Sequence, residues 1–212
     1  MPDNGALVLD GVSIKLAGKP LIALSLRVEP GEVLTVMGAS GSGKSTLLAF
    51  VAGFLEPEFF AEGSVRLAGR EITGLPASER RCGLLFQDPL LFPHMSVGEN
   101  LLFAIRAGNT AMRHKQAKAA LDQAGLDGFF DRDPATLSGG QKARAALMRV
   151  LLSAPQALLL DEPFSKLDAA LKGQIRQSVF AEAKARRLPV LLVTHDPEDG
   201  AEAGGRVIKL GG

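Results

Sequence analysis

Val33-Leu34-Thr35-Val36-Met37-Gly38-Ala39-Ser40-Gly41-Ser42-Gly43-Lys44-Ser45-Thr46 decides the fold within fourteen residues. The first five are nearly all apolar and read as a β-strand covered on both faces. A glycine-rich loop follows, and residues 44–53 read as a helix. The loop matches the phosphate-binding pattern G-x-x-x-x-G-K-[ST] in the strand–loop–helix setting that the pattern requires. Its glycines let successive backbone N–H groups turn toward one anion, and the positive end of the helix dipole falls on the same point. Lys44 adds a mobile cation for β- and γ-phosphates, Ser45 a hydroxyl for Mg²⁺, and Thr46 a contact for an α-phosphate. Gly38, Ala39, Ser40, Gly41, Ser42, Gly43, Lys44, Ser45 and Thr46 are therefore the expected phosphate cradle.

Working outward, buried strands recur at 83–86, 157–160 and 190–193, with helical patterns between them. In 168–187, Leu171, Ile175, Val179 and Ala183 fall on one stripe. Strands alternating with helices predict a parallel α/β sheet. Residues 6–16 and 21–28 partly alternate apolar with polar and predict a small antiparallel sheet. The stretch from Asp88 to Ala154 differs: it has helical patterns at 97–106, 111–124 and 140–153, and no convincing strand. The expected organisation is an α/β core with an antiparallel β subdomain over 1–87 and 155–212, and an inserted helical subdomain over 88–154. Arg80-Arg81 reads as no more than a solvated turn, and Cys82 as a residue in or beside a buried strand.

Composition excludes several classes. The chain has 212 residues, 46% of them apolar and 22% charged, which suits a soluble globular protein with an ample core. Lys plus Arg is 24 against 23 Asp plus Glu, a net charge of +1, so no basic excess points to nucleic acid. No apolar run approaches the roughly 18–20 residues that span a bilayer. The N-terminus lacks the features of a secretory signal. A single cysteine cannot form an internal disulfide, and a cytosolic compartment is expected.

Two further stretches carry chemistry. Ala157-Leu158-Leu159-Leu160-Asp161-Glu162-Pro163 is an apolar strand ending in two acids. Carboxylates at the C-terminal edge of a parallel sheet face the site crevice. Asp161 would orient Mg²⁺, and Glu162 would polarise an attacking water. Leu137-Ser138-Gly139-Gly140-Gln141 opens a helix: Ser138 can cap it, and the two glycines present backbone N–H groups, a second anion cradle about a hundred residues past the first. Two cradles for one nucleoside triphosphate suggest that two chains share each nucleotide.

Taken in this order, 38–46, 137–141 and 158–163 resemble the motifs of the ATP-binding cassette (ABC) ATPases, and the resemblance covers nearly the whole chain. It implies roles at three more positions. Gln87 resembles the glutamine that reaches Mg²⁺ and the water. Asp168, in Ser165-Lys166-Leu167-Asp168, resembles the aspartate that communicates across a dimer. His195 resembles the histidine that contacts the γ-phosphate. The resemblance implies ATP hydrolysis with Mg²⁺, Ser45, Gln87 and Asp161 serving the metal, and Glu162, His195 and Gln87 serving catalysis. It also implies a head-to-tail homodimer in the ATP-bound state, with Ser138, Gly139, Gly140, Gln141 and Asp168 closing on the partner's nucleotide. Residues 86–100 are similar to a stretch in bacterial importers of small solutes, where Leu90, Leu91, Phe92 and Met95 would border a groove for a transmembrane permease subunit. That places the chain on the cytoplasmic face of the membrane, with no nucleic acid among its partners. A soluble non-transport ABC ATPase of DNA repair or translation is the alternative.

The sequence departs from the family pattern in two places. No aromatic precedes the phosphate loop to stack on adenine, and Leu16 is the nearest residue for that place. Lys166 stands where a small residue is common.

Overall fold

The computed structural model describes residues 5–39, 41–106, 108–167 and 169–210, with the side chains of 169–171 outside the description. Ser40 and Asp168, both expected in the site, lie outside the described residues, as does the Leu171 side chain.

The chain divides into two compact units. The first is Met1–Leu84, Gln156–Glu162 and Gln177–Gly212; the second is Leu85–Pro155 and Pro163–Arg176.

Strands β1 (Leu7–Leu16), β2 (Lys19–Val28), β4 (Phe59–Leu67) and β5 (Arg70–Glu71) form an antiparallel sheet in the order β2-β1-β4-β5. Strands β3 (Val33–Met37), β6 (Cys82–Leu85), β7 (Ala157–Asp161), β8 (Val190–Thr194) and β9 (Val207–Lys209) form the second sheet, in the order β6-β7-β8-β3-β9. The pairings β7–β8, β8–β3 and β3–β9 are parallel. All five residues of β7 and of β8 are buried, which is why these strands read as unbroken apolar runs. Helix α1 (Lys44–Ala52) packs against β7 and β8, and the short α6 (Pro197–Ala203) against β3 and β8. The core of this unit joins both sheets to α1 through Leu9, Ile14, Leu34, Val36, Leu47, Leu159 and Leu191.

Arg80 is not a solvated turn residue. It is 7% exposed and donates to the carbonyls of Phe50 (2.7 Å), Val51 (3.0 Å) and Leu75 (2.8 Å). Its charge thus satisfies the C-terminal carbonyls of α1, where a cation is favoured. Burial lowers its pKa from the ordinary value. Cys82 opens β6, and burial pushes its thiol up to about 12.

In the second unit, α2 (Val97–Ala104), α3 (Thr110–Gln123) and α4 (Gly139–Leu152) pack against one another. Ser96 and Glu99 form a capping box at α2, and Asn109 caps α3. Gly98 lets the Phe130 ring close on α2: a Cβ there would lie 2.5 Å from the ring. Helix α5 (Ala169–Ala185) runs from this unit into the first, with Ile175, Val179 and Ala183 buried.

Candidate active site

The parallel register explains how residues far apart in the chain share one sheet edge. Met37 pairs with Thr194, and Asp161 with Val193. The loop after β3, the acids ending β7 and the turn after β8 therefore leave the sheet together, at the edge where such folds place their ligands.

The loop after β3 is shaped by steric demand. Gly43 has φ 84°, and a Cβ there would lie 2.7 Å from the Leu21 side chain. At Gly38 a Cβ would lie 2.8 Å from Ser42 Oγ. Helix α1 begins at once, with no side chain capping its first N–H groups and no acid in its first turn. Lys44 is 6% exposed, and its ammonium donates to the carbonyls of Gly38 (2.8 Å) and Ala39 (2.7 Å). A buried cation beside helix N–H groups that carry no side-chain cap among the described residues is an arrangement able to receive an anion.

Asp161 is buried and accepts a hydrogen bond from Ser45. Burial pushes its carboxyl above the ordinary value; the Ser45 bond opposes the rise, Glu162 adds to it and Lys44 opposes it. Among the described residues no group of three or more His, Cys, Asp or Glu could hold a metal. The Ser45 hydroxyl and Asp161 carboxylate nevertheless suit Mg²⁺, a hard cation that keeps several waters and takes further oxygens from phosphate.

Glu162 stands at φ 45°, in the left-handed region, where a non-glycine residue is strained. Its N–H donates to Val193 O (2.8 Å). The turn brings its Oε1 to 2.9 Å from His195 Nδ1. The Glu162 side chain is 18% exposed and the His195 side chain 64%. With Nδ1–H donating to the carboxylate, the Nε2 side of the ring is left for another partner. Thr194 Oγ1 donates to Asp199 Oδ2 (2.7 Å) and accepts from Asp196 N–H (3.0 Å), which fixes the turn that carries His195.

The remaining expected residues lie on the second unit. Gln87 is exposed just beyond β6. Ser138 Oγ accepts from Gln141 N–H (3.3 Å), and Gln141 Oε1 accepts from Ser138 N–H (2.9 Å). This capping box engages the Gln141 side chain in the helix start itself. Gly139 is open on its Cβ side, whereas a Cβ at Gly140 would sit 3.4 Å from the Lys166 carbonyl.

Leu16 is 39% exposed and pairs across β1–β4 with Phe59, beside the 59% exposed Phe60. Of the apolar patch, Leu90 is 56% exposed, and Leu91, Phe92 and Met95 are half-buried. Phe92 meets the exposed Phe103 edge-on, with ring centroids 5.0 Å apart. Sequence reading missed Phe103, whose exposure only the packing of α2 reveals. It likewise missed the tie of Asn100, which is fully buried and donates to the carbonyls of Phe92 (3.1 Å) and Ser96 (3.0 Å).

The chain is similar to several known proteins. The chain is 48% identical over 197 residues to the uncharacterized ABC transporter ATP-binding protein YnjD of Escherichia coli, covering 91% of this chain and 90% of that one. It is 46% identical over 180 residues to the thiamine import ATP-binding protein ThiQ of Cereibacter sphaeroides, covering 84% and 77%. The dimeric post-hydrolysis structure of the ATP-binding cassette MJ0796 bound to ADP and Pi matches with a TM-score of 0.83 and 31% identity, over 96% of this chain and 94% of that one. The profile of the ABC transporter family matches residues 21–165, across the cradle, the Ser138 loop and the paired acids: the chain belongs to the ABC transporter family, as one of its ATP-binding cassettes.

Proposed function

We propose that this chain is the ATP-hydrolysing subunit of a bacterial ABC importer, working as a homodimer on the cytoplasmic face of a separate membrane permease. No helix among the described residues is long and apolar enough to cross a membrane. The observation that carries the reading is the Glu162–His195 pair, held at the sheet edge that also bears the Lys44 cradle. The relative described as a thiamine importer favours import.

The reaction is transfer of the γ-phosphoryl group of ATP to water. The loop N–H groups and Lys44 hold the phosphates and offset charge as it develops. Glu162 accepts the proton of the attacking water as the new O–P bond forms, and the bond to the β-phosphate oxygen breaks, leaving ADP. His195 keeps the Glu162 carboxylate in place through Nδ1, with Nε2 directed at the γ-phosphate. Ser45 and Asp161 would hold Mg²⁺, whose charge neutralises the phosphate oxygens when it is bound. For Gln87, Ser138, Gly139, Gly140, Gln141 and Asp168 the assigned roles rest on their motifs. Leu90, Phe92 and Phe103 supply the apolar surface for the permease, as exposed apolar patches commonly do.

The test is phosphate release from MgATP by the purified protein, beside co-purification of a multi-spanning membrane protein from native membranes. Hydrolysis together with that capture supports the reading. Hydrolysis with a soluble partner alone would favour the non-transport alternative, and tight binding without turnover would remove Glu162 from its role.

A further inference from the structure

Within the second unit, the loop after β7 meets the segment after β6 through a charge pair that the proposed mechanism does not use. Lys166 Nζ bonds the Asp88 carboxylate, with side chains 40% and 76% exposed. Lys166 is one of the two places where the sequence departs from the family resemblance, and a small residue there could not reach Asp88.

The surroundings give this pair leverage. Pro89 and Leu90 follow Asp88 directly, and their carbonyls accept from the Arg149 guanidinium at 3.5 and 3.0 Å. Arg149 lies in the last turn of α4. At the other end of the same helix, Gly140 backs onto the Lys166 carbonyl. Asn100 extends the contacts: its Oδ1 accepts from Arg149 (3.3 Å) and from Phe92 N–H (2.8 Å), and its amide donates to Met95 O (3.3 Å). One rigid helix thus reaches the segment 88–95 twice, directly through Arg149 and at its start by way of Lys166.

The two attachments differ in kind. Arg149 and Asn100 form several bonds to backbone carbonyls, Asn100 from a fully buried position, and serve as a permanent strut. The Asp88–Lys166 pair is open to solvent, adds little to fold stability and is weakened by salt. Such a contact can be made and broken as its loops move.

We propose that Asp88–Lys166 is a latch: it ties the loop after β7 to the segment that carries Leu90 and Phe92, so that dimer closure at the Ser138–Gly140 face resets the permease-binding patch. Lys166 is a positioning residue in this scheme, acting through Asp88. The inference deepens the proposed function and rests on its assignment of the Ser138 loop to the dimer face.

The experiment is hydrogen exchange of the full chain, read over residues 90–96, with and without a slowly hydrolysed ATP analogue and Mg²⁺. Analogue affinity is titrated in parallel. In the wild type, the analogue should change exchange over this segment. Lys166→Ala should shrink that change on the order of threefold or more, within the range expected for residues coupled through one contact, and shift analogue affinity by no more than a similar factor, since coupling is reciprocal. The charge swap Asp88→Lys with Lys166→Asp should restore the response, which a merely structural lysine would not allow. Raising the salt should mimic Lys166→Ala in the wild type. An undiminished response in Lys166→Ala, a swap no better than the single variant, or a wild-type segment indifferent to bound analogue would each overturn the latch and leave the ATPase reading standing. Failure of the wild type to bind the analogue would overturn both, and the titration tells the two cases apart.

Discussion

Glu162→Gln isolates the charge and basicity of one side chain while keeping its shape. The glutamine Oε1 can still accept from His195 Nδ1 across the 2.9 Å contact, so the turn and the ring should stay where they are. What is lost is a carboxylate able to take the proton of water. General base catalysis contributes about 10²–10⁴-fold, and each tenfold corresponds to about 1.36 kcal/mol of barrier. The barrier should therefore rise by about 2.7–5.4 kcal/mol. Binding should not weaken, because Lys44 and the Ser45–Asp161 pair are untouched. It should even tighten slightly, since a negative charge leaves the neighbourhood of the γ-phosphate. Steady-state phosphate release, calorimetric titration with MgATP, and gel filtration with and without ATP read the three quantities. The expected pattern is turnover down a hundredfold or more, affinity equal or tighter, and an ATP-dependent dimer that persists. Turnover within tenfold of the wild type would refute the assignment of Glu162, and loss of binding would refute the expectation that binding rests on Lys44 and the Ser45–Asp161 pair.

The other predictions are more compact. Lys44→Ala should weaken MgATP binding about 10- to 150-fold, from a charge-assisted hydrogen bond worth about 1.5–3 kcal/mol; calorimetry checks it, and wild-type affinity would sink the phosphate-loop reading. The wild type should hydrolyse GTP within roughly tenfold of ATP, and Leu16→Tyr should favour ATP further by about 0.5–1.5 kcal/mol of stacking; competition assays measure both, and a thousandfold wild-type preference would mean that another group reads adenine. Leu90→Asp with Phe103→Ser should abolish capture of the permease and spare ATP binding, because a charge left in an apolar contact is costly; Leu90 has φ 43°, a conformation that Asp tolerates better than Leu. Gly98→Ala should cost about 1–3 kcal/mol through overpacking against Phe130, read as a lower urea midpoint at unchanged slope.

Much of the fold was legible because its central strands are buried on both faces. Strand β3 matches the expected range, and β7 and β8 each run one residue further, to Asp161 and Thr194. Strand β4 was not legible. Gly63, at φ 97°, sits so close to β1 that a Cβ would lie 2.5 Å from Gly11 O, and the register shifts there, so the alternation toward Val65 and Leu67 is interrupted. The three-residue β9 and the acidic α6 offer too little periodicity to read. Arg80 misled because a charge beside a second charge reads as solvated, and only the folded chain brings the end of α1 against it. At the site, Lys44, Asp161, Glu162 and His195 could each be named from motifs. The contact between Glu162 and His195 could not, since they are 33 residues apart and the β7–β8 register alone sets them side by side.

The parallel pairing of Val33 with Val190 also governs how the protein is made. These partners are separated by 190 − 33 = 157 positions, and at about 5–20 residues per second a ribosome needs about 8–30 s to travel between them. For that interval β3 has emerged as an apolar strand without the neighbour it was built for, a condition that favours aggregation. The segment bearing α2, α3 and α4 is translated in the meantime and draws on more local contacts. Nascent chains halted before Val190 should therefore be protected over the helices and vulnerable at Val33–Met37. The nucleotide cradle, although translated well before the helices of the second unit, can mature only after Val190 has been made.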